Sequence, residues 1–160
     1  PEYAEIDSPY WHLAMIAKEN GDIHRATEEL SALTAINQNN YLANTELSAL
    51  HEELGNLAAA AEALDRVIYI YPFEIPIHQK LAGLYENMGN HPLAIRERKA
   101  VVSLAPVDMA EALYLLAKAE FGAGDQVAAK GSIIRSLEIA PSYPAAQELL
   151  LAIIGREKNP

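Results

Sequence analysis

The stretch HEELGN at residues 51–56 stops one residue short of a metal-binding pattern. In zinc hydrolases a helical His-Glu-x-x-His sets two imidazoles a turn apart on the metal and leaves the Glu as base. Here Gly55 stands where the second imidazole would be. The chain has no cysteine, so a zinc site would need histidines and carboxylates from separate segments. His12, His24, His51, His78 and His91 take five different places in the 34-residue period set out below, so they stack in no column. Gly122-Ala123-Gly124 resembles the opening of a dinucleotide-binding loop, but no strand pattern precedes it and no third glycine follows. Neither a Gly-x-Ser-x-Gly elbow nor a phosphate-cradling Walker loop is present. The residue types therefore predict no catalytic centre, no cofactor and no metal. The Gly-Asn of HEELGN needs another explanation.

Charge narrows the partners. The formal net charge is −10, the pI is about 4.9, and half the residues are apolar. A nucleic-acid binder needs a basic face to displace counterions, and anionic lipid repels a chain of this sign. No apolar run approaches the roughly 20 residues of a membrane-spanning helix. The expected partners thus exclude nucleic acid and membrane insertion. The chain starts at Pro1 with no signal-peptide pattern, which reads as a piece of a longer protein.

Gly55-Asn56 belongs to a repeat. It returns as Gly89-Asn90, is preceded by Gly21-Asp22, and comes again as Gly124-Asp125. Leu13, Leu47, Leu81 and Leu116 keep the same step, each followed by a small residue: Ala14, Ser48, Ala82 and Ala117. Five residues beyond each glycine stands an alanine: Ala26, Ala60, Ala94 and Ala129. Pro72, Pro106 and Pro141 close three units, and Gln38 holds that place in the first. The last step is one residue longer than the others, which places an insertion in a loop around Val107–Met109.

Apolar residues within a unit recur at three and four, as in Leu47, Leu50, Leu54, Leu57, Ala60, Ala61, Leu64 and Val67, which is helical spacing. Two helices per unit joined at Gly-Asn or Gly-Asp predict a tight hairpin. The glycine supplies positive φ at the end of the first helix, and the Asn or Asp caps the second. HEELGN is then a helix end and a turn.

With a small residue in the first helix, an alanine in the second and a closing proline, the pattern resembles the tetratricopeptide repeat. Tyr10 and Tyr85 fill aromatic positions of that family's signature, whereas Ala17, His51 and Glu120 stand where an aromatic is usual and Arg98 where a large apolar side chain is usual. The resemblance implies an all-α, right-handed α-solenoid of four hairpins over about 7–40, 41–74, 75–109 and 110–143, in a single domain spanning 1–160. Residues 143–157 would add a C-terminal capping helix. Its apolar set (Leu149, Leu150, Leu151, Ile153, Ile154) is wider than one buried face needs, which predicts self-association of two copies or cover by missing chain.

Members of the family bind partners in a groove lined by the first helix of each hairpin. Carried over position by position, the groove residues are Trp11, Met15 and Lys18; Thr45, Ala49 and Glu52; Gln79, Gly83 and Glu86; and Tyr114, Lys118 and Phe121, with Glu46 and Glu53 near the rim. Trp11 is the anchor candidate, unless residues 1–8 or upstream chain cover it. Tyr114 and Phe121 have packing against the final helix as their alternative. The Lys, Asn and Arg clamp of chaperone-binding members is missing, because Trp11, Met15, Glu46, Pro76 and Lys80 occupy its positions. The resemblance implies a protein or peptide partner, and the side chains favour an apolar segment with one or two basic residues. Two alternatives stay open: a docking or regulatory appendage of a larger enzyme, and a self-assembly module.

Overall fold

A computed structural model describes residues 8–158. Among them are nine helices and no strand: α1 (Pro9–Glu19), α2 (Ile23–Ile36), α3 (Tyr41–Glu53), α4 (Leu57–Ile70), α5 (Ile75–Asn87), α6 (His91–Ser103), α7 (Met109–Gly122), α8 (Gln126–Ile139) and α9 (Pro144–Lys158). The fold is all-α and built of hairpins, as the period requires. Contacts divide the chain into two compact units, Pro1–Ile77 and His78–Pro160.

The turn that HEELGN encodes is a Schellman cap. Gly55 has φ 74°, a conformation that costs a side-chain-bearing residue about 1–2 kcal/mol. It lets the Asn56 N–H donate to the His51 carbonyl at 2.7 Å and the Gly55 N–H to that of Glu52 at 2.9 Å. The other three hairpin glycines repeat this geometry. Asp22, Asn90 and Asp125 then cap the following helix through their side chains, accepting from Arg25, Leu93 and Ala128. Asn56 departs from the expectation: its side chain makes no cap bond, and α4 starts on backbone bonding alone.

The two columns of small residues are wholly enclosed in every hairpin. Ala14, Ser48, Ala82 and Ala117 in the first helices are fully buried, as are Ala26, Ala60, Ala94 and Ala129 in the second. Large side chains surround them. In the first unit Leu30, Leu33, Leu47 and Leu50 form the core, with Trp11 and Met15 packed on it. In the second, Ile133, Ala146 and Ile153 do so, with Tyr114 and Phe121 alongside. Leu13 breaks its column: it is 39% exposed, while Leu47, Leu81 and Leu116 are buried.

The additional residue of the last step is taken up between α6 and α7. That link runs over 104–108, one residue longer than the 71–74 link between α4 and α5. Ala105 within it adopts φ 52°. The final helix α9 lies on α8 and also on α7. Its buried stripe is Ala146 and Ile153 with Leu149 and Leu150 half-buried, while Leu151 stays 70% exposed.

Because Ala94 has no exposed surface, any larger side chain must displace a neighbour. Ala94→Phe is expected to destabilise the fold by about 1–3 kcal/mol, read as an earlier melt by circular dichroism. An unchanged melt would mean the repeat alignment is wrong.

Candidate functional site

The groove candidates sit on the first helix of each hairpin, and each unit presents its own set. In the first unit, α1 carries Trp11, Met15 and Lys18 one turn apart, and α3 carries Thr45, Ala49 and Glu52 likewise. Trp11 is half-buried and held at the helix start, where the Ser8 hydroxyl oxygen accepts from the Trp11 N–H at 3.2 Å. Residues 1–7, which the sequence offered as cover for this ring, lie outside the described residues. Lys18 donates to Glu46 at 2.6 Å, tying α1 to α3 through two partly exposed side chains. A pair exposed to this degree contributes roughly 0–1 kcal/mol, so it orients more than it stabilises. The Thr45 hydroxyl donates within its own helix, with the Tyr41 and Leu42 carbonyls at 3.0 and 2.9 Å. Thr45 and Ala49 are both small and half-buried on α3.

In the second unit Gln79 and Lys118 are exposed, and Gly83 is half-buried. Glu86 is engaged: the buried Arg98 guanidinium donates to it twice, at 2.9 and 3.1 Å. Arg98 thus fills a position usually apolar by reaching across its hairpin to a carboxylate. Tyr114 and Phe121 pack toward the end of the chain. Tyr114 lies 5.2 Å from the Tyr143 ring, and the Arg156 guanidinium sits 4.5 Å above Phe121, a cation–π contact. Burial raises the Tyr143 hydroxyl above the ordinary tyrosine range, with Glu111, Tyr114 and Asp108 adding to the shift.

Polar residues inside the second unit were not anticipated. His78 Nδ1 and Glu97 Oε2 are 2.6 Å apart with both side chains buried, and Arg96 also pairs with Glu97. Glu120 accepts from the Ser132 hydroxyl at 2.7 Å, and Ser136 donates to the Ala110 carbonyl at 2.6 Å. The signal was available: Arg98 and Glu120 are the two charged departures from the family signature.

His51 falls at the same repeat position as Glu120. Its Nδ1 is buried, with no hydrogen-bond partner among the described residues. Burial lowers its pKa below 6.5, against an opposing pull from Glu62. It lines a cleft of about 380 Å³ between α2 and α4, with Thr34, Glu62 and Arg66. No group of three or more His, Asp or Glu among the described residues is placed to hold a metal ion. No described helix is long and apolar enough to cross a membrane.

Residues 46–73 match the model of the tetratricopeptide repeat family. No curated protein gives a significant sequence match. Several solved structures are similar in fold. MamA from Desulfovibrio magneticus RS-1 superposes with a TM-score of 0.71 at 19% identity over 94% of this chain and 84% of its own. A tetratricopeptide repeat protein from Parabacteroides merdae gives 0.72 at 21% identity, over 92% of this chain and 60% of that one. The first such domain of Spaghetti (RPAP3), solved with the HSP90 peptide SRMEEVD, gives 0.62 at 18% identity, over 74% of this chain and 94% of its own.

The Arg98–Glu86 pair makes an asymmetric prediction. Glu86→Gln leaves a buried guanidinium without its counter-charge and is expected to cost about 1–3 kcal/mol in a denaturant melt. Arg98→Leu restores the apolar side chain held by Leu30 and Leu64 in the earlier repeats and leaves Glu86 able to hydrate, so it should be near neutral. Equal losses from both would show that the pair is not what holds this position.

Proposed function

Because this chain has the tetratricopeptide-repeat fold, and residues 46–73 match that family's model, we propose that it is a protein- or peptide-binding module and not a catalyst. The observation that carries this reading is the surface of α1 and α3. Trp11 and Met15, both half-buried, pack on the first unit's core, and α3, joined to α1 by the Lys18–Glu46 pair, carries the small residues Thr45 and Ala49. An aromatic on a rigid helix is a low-entropy anchor, and small neighbours leave room for a partner's backbone. The RPAP3 domain, which shares the fold, holds a peptide, and that supports the general mode.

The ligand is an apolar segment with one or two Lys or Arg. Residues 1–77 carry thirteen acids against three bases, so the whole net charge of −10 lies in this half of the sequence. Apolar burial supplies affinity, at roughly 25 cal/mol per Å² before ordering costs, and the acids set register and encounter rate. In the second unit Gln79, Gly83, Glu86, Tyr114, Lys118 and Phe121 are the corresponding surface. Of these Glu86 is committed to Arg98, so Glu52 gives the cleaner electrostatic test. A second reading, two copies meeting through the outer face of α9, is favoured by the exposure of Leu151.

Trp11 is the sole tryptophan, so its fluorescence reports on this surface directly. Titration with a leucine-rich twelve-residue peptide bearing two lysines is expected to shift its emission. Glu52→Gln should slow association and flatten its salt dependence, and Met15→Ala should speed dissociation. The acidic peptide SRMEEVD should leave the emission unchanged, because Lys80 alone of the clamp positions is basic. Binding that ignores both substitutions would put the site elsewhere.

A further inference from the structure

The second unit has a cleft of about 480 Å³ at the same repeat positions as the cleft beside His51. Leu116 and Glu120 of α7 floor it, where Leu47 and His51 of α3 floor the first. One pair of positions is decisive. In the first unit Glu62 and Arg66 lie one turn apart on α4 and form an ion pair at 2.6 Å. The corresponding residues on α8 are Gly131 and Arg135. Arg135 has therefore lost its built-in carboxylate, and it has no ion pair among the described residues. Lys99 of α6 adds a second cation to the lining, where the first cleft has Ser31.

Gly131 meets no neighbour among the described residues that would require a glycine. It lies mid-helix, where glycine costs about 1 kcal/mol relative to alanine, its φ is not in the left-handed region, and an added Cβ would meet no atom within 4 Å. The room it leaves faces the cleft. Glu120, the one acid in the lining, is buried at the floor and bonded to Ser132, so the lining carries two cations against one anion. Between them lie Val102, Leu116 and Ala128, an apolar bed.

We propose that this cleft binds a short protein segment that presents an Asp or Glu carboxylate among apolar residues. The carboxylate takes the place that Glu62 occupies beside Arg66, paired to the Arg135 guanidinium and near Lys99. The segment's main chain passes over Gly131, as close backbone approach requires. The site is separate from the groove surface. Leu116 and Glu120 each follow Tyr114 and Lys118 by two residues, which is about 200° around α7. A failure here leaves the reading of Trp11 and Glu52 untouched.

The test is nuclear magnetic resonance of the whole isotope-labelled chain, titrated with the blocked pentapeptide Ac-ALELA-NH2 and with its glutamine counterpart Ac-ALQLA-NH2. The Gly131 amide and the Arg135 Nε–H should shift with the first peptide, and binding should be at least about tenfold weaker with the second. Arg135→Gln and Gly131→Glu should abolish the response, the latter by restoring the ion pair of the first unit. Trp11→Ala should not alter it. Gly131→Ala should melt a few degrees higher than the parent chain; a lower melt would show that the glycine serves the fold, and would overturn the inference. So would an equal response to both peptides, no response at millimolar peptide, or the same shifts from inorganic phosphate at the same concentration.

Discussion

The contact between two columns of small residues sets the geometry of every hairpin. Ala14, Ser48, Ala82 and Ala117 on the first helices and Ala26, Ala60, Ala94 and Ala129 on the second have no exposed surface at all. The axial separation of packed helices follows from the side chains at the crossing, so small residues there bring the axes close. The remaining positions can then be assigned by what close axes leave room for. Leucine and isoleucine fill the flanks, and the glycine turn only has to span a short gap. If one column were enlarged, the turn would have to stretch and the large side chains beside it would lose contact with their neighbours.

Around that contact the repeats are free to differ, and they do so at the position where an aromatic is usual. It holds Ala17, His51, Tyr85 and Glu120 in turn. Tyr85 is buried, as the signature expects. At His51 and Glu120 a smaller, polar group stands at the floor of a cleft instead. The two clefts are therefore a product of local substitution on a common frame. What distinguishes them chemically is a handful of side chains on the neighbouring second helices.

The repeat period, the turns and the two-helix units were legible because each rests on residues that recur in step. The glycine φ values and the alanine columns follow directly from that recurrence. The pairings of the polar departures were not legible. Arg98 finds Glu86 twelve residues away and His78 finds Glu97 nineteen away, and neither separation is a multiple of the period. Such contacts depend on which faces two helices turn to each other, and one sequence does not disclose that. For the candidate groove, the sequence located the helices and the order of residues. It could not show that Thr45 would bond to its own helix, that Lys18 would reach Glu46, or that Phe121 would lie beneath Arg156. Asn56 is a plain exception, an expected cap that makes no bond.

The buried polar pairs also bear on how such a chain avoids assembling wrongly. Four near-equivalent hairpins invite mispairing, in which a first helix closes on the second helix of another repeat, since the apolar faces would accept either. Glu97 and Glu120 are almost wholly enclosed, and each is matched by a partner particular to its own place: His78 for one, Ser132 for the other. Ser132 and Glu97 hold the same repeat position, so with α6 in place of α8 Glu120 would face Glu97, a second carboxylate. A carboxylate enclosed without its match is a severe local penalty. Each pair joins the two helices of one hairpin, α5 to α6 and α7 to α8, so it acts as a key by which a first helix recognises the second helix that belongs to it.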